Sequence, residues 1–485
     1  MKENKFLKLA KTLDKQELKA FHKYLNGLYG KQEKMILLFS YFLARLKKDE
    51  VVLPTEKFFQ TNFFDKPQSA KVIGNLFADL YKYLEEFLRW QKINAEANNY
   101  VKDKLQIEIF KERKLDDWFY SKIEKTTIKI EAAPKDMHSF LKLFELKYAA
   151  YFKFSTEKQR QGIMKLLSEG LLNLDSFYIA AKLKYALEIK SITNSNQIDT
   201  IDNWLIDYIL KQYWQKVEED AYLSVYHLMF QLVDNKSDSK YFHLKNEFLN
   251  RRYFFSTEDQ FIILMALLNF ITQKIRAGGL EFRKEALELY KIGVEDKTII
   301  INNEIGAVLF FNIINVACVM NEIKWAEQFL ENYSIYLNNK DKTEIKKLAK
   351  GIIYFEKKEF DEVLVQLRDI RFKNIFYETR ARVLIIRSLI EQAVDKAIIR
   401  AECDAFSQSL RRNELLADTL LIAYKNFVRL TRMIFVNTKT TKEQLVNFLI
   451  NEKLFVYKIW LQKKVDNFKE HSYSIGMPFI YILNF

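Results

Sequence analysis

The sequence predicts an all-α chain of helical hairpins packed one on the next, and three observations carry that reading. Only four prolines and eleven glycines occur in 485 residues, against average usage of about 5% Pro and 7% Gly, so most helix breakers are missing. Leu, Ile, Phe, Tyr, Lys and Glu recur at three- and four-residue spacing along most of the length, the pattern of amphipathic helices. Polar connections of a few residues separate the segments, as they do between stacked helix pairs. A hydrophobic share of 49% beside 29% charged residues makes the chain globular, and its length exceeds one simple core.

Residues 1–133 read as an N-terminal helical domain. A short helix ends near Leu13, and Asp14 with Glu17 has the spacing of a capping box for the next. That helix should run to about Leu25, with Asn26-Gly27 and Gly30 turning the chain. Lys31 to Lys47 repeats Ile36, Phe39, Leu43 and Leu46 at helical spacing. Pro54-Thr55-Glu56 opens another short helix, and a long one follows from about Gln68 past Trp90 on a stripe of Val72, Leu76, Leu80, Leu84, Phe87 and Leu88. Helix resumes with Leu105, Ile109 and Leu115 and decays by Thr126, and Pro134 opens the next block.

From 134 to 470 the chain reads as a series of helices. They are expected at 136–153, 156–168, 171–191, 199–213, 215–233, 239–250, 257–276 and 281–292. Others follow at 304–320, 322–338, 341–357, 359–370, 376–391, 394–411, 414–436, 440–451 and 453–469. Residues 471–485 form a non-helical tail with Gly476, Pro478 and a terminal aromatic-aliphatic run, expected to dock extended against the last helices.

Within this block a half-motif recurs. It appears as Lys284–Tyr290, as Lys324–Phe329, as Phe360–Leu367 preceded by Gly351 and Tyr354, and as Val394–Ala397. Its small-residue positions 286, 326, 363 and 397 lie 40, 37 and 34 residues apart. These residues resemble tetratricopeptide-like α-solenoids, by motif over 240–411 and by helix pattern over 134–470. Val363 stands where Ala is usual, and only the 360/394 pair keeps the regular period. The resemblance implies a superhelical solenoid whose first helices line a groove, here with Ile345, Leu348, Ile352 and Phe355. Such an apolar lining suits a hydrophobic partner segment or is filled by the chain itself; it lacks the Lys, Asn and Arg that clamp a peptide carboxylate. The N-terminal block, Phe6 to Leu46 and Leu53 to Trp90, resembles a bacterial type of helical-repeat protein to which no activity attaches.

Chemistry is sparse. His22, His138, His227, His243 and His471 have no partner at metal-ligand spacing. Gly27-Leu28-Tyr29-Gly30-Lys31-Gln32 fails as a phosphate loop in glycine spacing and at Gln32, and no strand precedes it. Glu85-Glu86, Asp116-Asp117 and Glu218-Glu219-Asp220 are neighbours on helices, pointing about 100° apart instead of converging. Cys318 and Cys403 are isolated in apolar contexts, which fits buried thiols and a reducing compartment. No catalytic, cofactor or metal site is expected, and the chain reads as non-enzymatic.

One stretch stands out as a binding candidate. Arg371, Lys373, Arg380 and Arg387 are interleaved with Phe376 and Tyr377, and Arg380 and Arg387 share a helical face with Arg382 opposite. Arginine with aromatics can hold acidic peptide or stack on bases; the same residues also suit a packed helix junction. The net charge of +14 admits a polyanion, but Lys, Asn, Ile, Phe and Tyr are all abundant, and compositional bias spreads lysine over every solvated face. The expected function is a cytoplasmic protein-interaction scaffold without a membrane partner. The alternative is a nucleic-acid-associated protein using basic, aromatic-interleaved surfaces.

Overall fold

The computed structural model describes residues 4–29, 34–46, 56–61, 64, 67–95, 99–151, 160–193, 208, 211–212, 214–234, 237–368, 370, 372–412, 415–437 and 440–468. All regular structure among them is helical. Two isolated bridges, Lys135 to Phe255 and Ile301 to Glu304, are the β pairings recorded among these residues. Helix 199–213 falls almost wholly outside the described residues, and so do Gly30, Arg371 and the tail 471–485. No helix among them is long and apolar enough to cross a membrane.

Two compact units emerge, residues 1–133 with 137–177, and 134–136 with 178–485. The first opens with α1 (Lys5–Ala10), α2 (Lys15–Tyr29), α3 (Lys34–Leu46), α4 (Glu56–Thr61) and α5 (Ala70–Asn94). Asp14 and Glu17 form the anticipated cap: the amides of Gln16 and Glu17 donate to Asp14 Oδ1, and the Asp14 amide donates to Glu17 Oε2. The helix does not stop at Asn26-Gly27, however; it continues to Tyr29. A glycine inside a helix costs about 1 kcal/mol, less than the burial of Phe21 and Leu25 on the preceding turns returns. Along α5 the packed stripe is Ile73, Phe77, Leu80, Leu84 and Phe87. Val72 is exposed and Leu76 only half-buried, so the expected stripe is one residue out of phase in its first two turns. These helices enclose a core dense in phenylalanine, where Phe6, Phe21 and Phe42 meet Phe39, Phe59, Phe77 and Phe87.

Three more helices follow, α6 (Asn99–Glu112), α7 (Asp116–Ala132) and α8 (Met137–Tyr151). Two expectations fail here. Leu105 and Ile109 face solvent while Asp103 and Ile107 are buried, because the Asp103 carboxylate is taken in by Lys122 and Lys129 of α7 at 2.6 and 3.3 Å. And α7 runs past Thr126, whose hydroxyl donates to the Lys122 carbonyl at 2.7 Å, leaving no polar group to end the helix. The anticipated pair 156–168 and 171–191 is one helix, α9 (Arg160–Thr193). Gly170 lies inside it, against Phe144 and Lys147 of α8.

The second unit takes the later part of α9 and then α10 (Trp214–Glu219), α11 (Ala221–Asp234), α12 (Asp238–Arg251), α13 (Thr257–Arg276) and α14 (Phe282–Glu295). Segment 215–233 is split because the Asp220 carboxylate caps a new helix, accepting from the amides of Tyr222 and Leu223. Then come α15 (Ala307–Val319), α16 (Ile323–Tyr333), α17 (Lys342–Glu356), α18 (Phe360–Leu367), α19 (Ile375–Glu391), α20 (Lys396–Arg411), α21 (Asp418–Phe435), α22 (Lys442–Asn451) and α23 (Lys458–Asp466). From α13 on, each helix packs against the next up to α23. In addition α15 packs on α17, α17 on α19, and α21 on α23.

Close approaches in this part are set by small residues. A methyl on Gly351 would stand 3.1 Å from Leu367, and one on Gly293 would stand 2.7 Å from Leu264. Ala286, Ala326 and Val363 are buried at their crossings. Ala397 is exposed, its amide capped by Asp395 Oδ1; Ile399, Cys403, Phe406 and Leu410 are what α20 buries. The match at 397 therefore marks a helix start and not a packing contact.

Candidate protein-interaction surface

Several buried charges among the described residues are arranged in clusters. Asp259, wholly buried, accepts from Lys184 Nζ at 2.8 Å, from the Ser256 hydroxyl at 2.9 Å and from the Tyr226 hydroxyl. Burial, with Tyr222 and Asp259 alongside, pushes the Tyr226 phenol up, so it stays a donor. Lys245 reaches Glu285 and Glu288 at 2.6 and 2.8 Å. Arg252 Nε lies 2.8 Å from Asp296, which also accepts from Tyr253.

Two of the clefts lined by described residues contain none of the residues of these clusters. One, of about 690 Å³, runs along Leu9, Tyr81, Leu88 and Lys92 in the first unit. The other, of about 320 Å³, lies between α16 and α17 beside Glu327, Lys346, Lys350 and Tyr354. No group of three or more His, Cys, Asp or Glu is placed to hold a metal among the described residues. His227 is a packing residue, its ring beside Gln231 at 3.0 Å and its pKa lowered by burial. Burial pushes the thiols of Cys318 and Cys403 up to about 12.

The residues singled out by sequence are divided by α19. Lys373 and Phe376 are exposed at its start, and the Lys373 amide donates to Glu344 Oε1 at 3.2 Å. Tyr377 is buried edge-on to Phe311 of α15, and the Arg380 guanidinium lies 5.3 Å from the same ring. Arg382 turns the other way and pairs with Glu378 at 2.8 Å. Two turns beyond Arg380, Arg387 is 7% exposed and sits among rings: Phe355 of α17 at 4.1 Å, Tyr457 at 4.3 Å and Trp460 at 5.3 Å. Its Nε has no hydrogen-bond partner among the described residues. Burial pulls its pKa down, against the pull of Tyr457, Glu356 and Glu391. Arg371, the sixth candidate, lies outside the described residues.

Around Arg387 the structure adds residues that sequence reading passes over. Glu391, one turn on, receives the Trp460 indole N–H at 2.7 Å on one oxygen and Lys464 Nζ at 2.8 Å on the other. Trp460 also approaches Phe427 and Phe435 of α21, with ring centroids at 6.2 and 6.5 Å. Helix α23 thus reaches side chains of α19 and α21 together. The supposed groove residues Ile345, Leu348, Ile352 and Phe355 are all buried, so of the two implied possibilities the chain fills this lining itself. Locally the only signal was Trp460 and Lys464 at i, i+4 spacing; their acceptor lies about seventy positions earlier.

A different exposed feature lies on α9 in the first unit. Met164, Leu167, Leu171 and Leu174, at three- and four-residue spacing, each show more than a third of their surface, an apolar stripe of the kind that marks contact surfaces. No protein-family model, curated protein or solved structure matches the chain.

Proposed function

We propose that this chain is a non-enzymatic protein-interaction scaffold, a cytoplasmic tetratricopeptide-like α-solenoid that binds partners through its helix faces. One observation carries the reading. The face made by α19 and α21 holds a helix through an aromatic-walled guanidinium and one carboxylate, Arg387 and Glu391. Helix-in-groove recognition uses just such anchors at i and i+4 spacing. The succession of helix pairs from α15 to α22, each packed on the next, supports the repeat reading. Ion clusters set apart from the two clefts favour a surface over a reaction centre.

Affinity capture with the tagged full chain tests the proposal, comparing nuclease-treated with untreated lysate across a salt series. A protein partner that survives nuclease and is retained as salt rises supports the scaffold. Loss of all binding on nuclease treatment, with affinity falling steeply with salt, overturns it in favour of a nucleic-acid ligand.

A further inference from the structure

We infer that the face formed by α19 and α21 is a receptor for an amphipathic helix carrying an indole and a cation one turn apart, and that α23 is the chain's own displaceable occupant of it. The inference rests on the scaffold reading and adds to it the partner's chemistry and a means of regulation.

The occupant shows what the face selects. Residues at i and i+4 lie on one side of a helix, about 6 Å apart along its axis. Trp460 and Lys464 use that spacing to place an N–H and an ammonium on the two oxygens of Glu391. Arg387 from α19, and Phe427 and Phe435 from α21, supply the walls around the indole. Arginine in the wall favours an aromatic ring over an aliphatic side chain. Glu391 penalises an occupant that brings no donors, because a half-buried carboxylate then loses its partners.

The attachment of α23 is slight. It has nine residues, of which only Leu461 and Val465 are buried. Helices so short have little stability of their own and depend on docking. Its N-cap residue, Tyr457, is left-handed at φ 54° and provides no side-chain cap, a conformation unfavourable for a non-glycine residue. Residues 452–455 before it are non-helical, tied to α21 by Asn426 Nδ2, which donates to Glu452 Oε2 at 3.2 Å and to the Leu454 carbonyl at 3.1 Å. The fit also leaves one group unserved: Arg387 Nε is buried without an acceptor among the described residues. A partner helix that adds a carboxylate or amide oxygen there satisfies a donor that α23 does not, and this gives it the advantage needed to displace α23.

The test uses a labelled peptide of residues 453–468 added to the full chain. In the wild type the tethered α23 competes, which lowers apparent affinity by the fraction of time the face is free. Trp460→Ala with Lys464→Ala weakens the competitor, and the peptide should then bind at least about tenfold more tightly. Adding Glu391→Gln to that variant should return binding to the wild-type level or below. Equal binding by wild type and double variant, or indifference to Glu391→Gln, overturns the inference. Should the double variant lose its fold, hydrogen exchange on the wild type decides. Amides of α23 should exchange at least about a hundredfold faster than those of α17, α19 and α21, as in a separately opening element; equal protection refutes a displaceable helix. A chain that captures a protein partner but shows no peptide competition keeps the scaffold reading and loses this one. Competition without any partner capture does the reverse.

Discussion

Replacing Asp259 with alanine should be among the most damaging single substitutions in the second unit, for reasons that can be followed atom by atom. Its carboxylate stands in the first turn of α13, where the Ser256 hydroxyl accepts from the Asp259 amide at 3.1 Å and donates to Oδ2. Lys184 from α9 and Tyr226 from α11 complete its shell, so one side chain joins three helices. Alanine leaves the largely buried Lys184 ammonium only Glu258, an exposed residue 3.9 Å away. Breaking a buried pair from one side costs about 3–5 kcal/mol. An orphaned buried hydroxyl, here that of Tyr226, adds about 1–3 kcal/mol. Because Lys184 and Glu258 can still draw in water, we place the total at about 4 kcal/mol.

The same reasoning specifies a rescue. Asp259→Leu with Lys184→Met removes both charges, and Tyr226→Phe removes the phenol donor, while the Ser256 hydroxyl still accepts from the amide at 259. The triple variant should unfold within about 1 kcal/mol of wild type, since apolar replacement of a whole buried cluster is commonly near neutral. Urea unfolding followed by far-UV circular dichroism measures both. A lysine, an aspartate and tyrosines in contact are also what an acid–base centre would contain, and groups held for chemistry often reduce stability. If Asp259→Ala is neutral or stabilising, or the triple variant is no better than the single one, the structural account of this cluster is wrong.

Two glycines should respond oppositely to alanine. Gly27→Ala, inside α2 with open space around it, should stabilise by about 0.5–1 kcal/mol. Gly293→Ala should destabilise by about 1–2 kcal/mol in the same urea assay, because the new methyl would stand 2.7 Å from Leu264 and 2.9 Å from Ile299. Burial alone would raise the Asp103 carboxyl, but the ammoniums of Lys122 and Lys129 outweigh it and hold its pKa below the ordinary value of 3.8. The stability this confers is present above that value and is lost as pH falls through the lower folded value; Asp103→Asn should remove this part of the acid dependence in melting curves taken from about pH 5 to about pH 2. Cys318 and Cys403, raised to about 12 by burial, should react with a thiol reagent only as the chain unfolds, and rapid labelling of the native protein would contradict their placement.

How far each element could be read from sequence depended on whether its determinants were local. The Asp14–Glu17 cap and helix 257–276 are written within a few residues, and both are present as read. The turn at Asn26-Gly27 was misread because local propensity says stop while the buried Phe21 and Leu25 say continue. On α6, apolar periodicity chose Leu105 and Ile109 as the inner face. The deciding groups are lysines on the next helix that draw Asp103 inward. Arg387 shows the same limit at the candidate surface. Its stretch can be picked out from alternating arginine and aromatic residues, but the rings that surround it come from positions 355, 457 and 460. Nothing within a helical turn of Arg387 announces them.

The ion clusters also differ in a way that bears on where the chain can open. Core positions here are filled by interchangeable Leu, Ile and Phe, and such patterning tolerates sliding of one helix on the next. A buried charge pair tolerates none, since a shift of one residue strands both partners. Asp259 with Lys184 fixes α9 against α13, and Lys245 with Glu285 fixes α12 against α14; in both pairs at least one partner is at least nine-tenths buried. Glu391 with Lys464 is less enclosed than these two pairs, both side chains being 26% exposed. Once α23 leaves, water reaches the Glu391 carboxylate and offsets part of the loss of the Lys464 ammonium. By the same reckoning α9 and α13, and α12 and α14, stay in register whether or not α23 is docked.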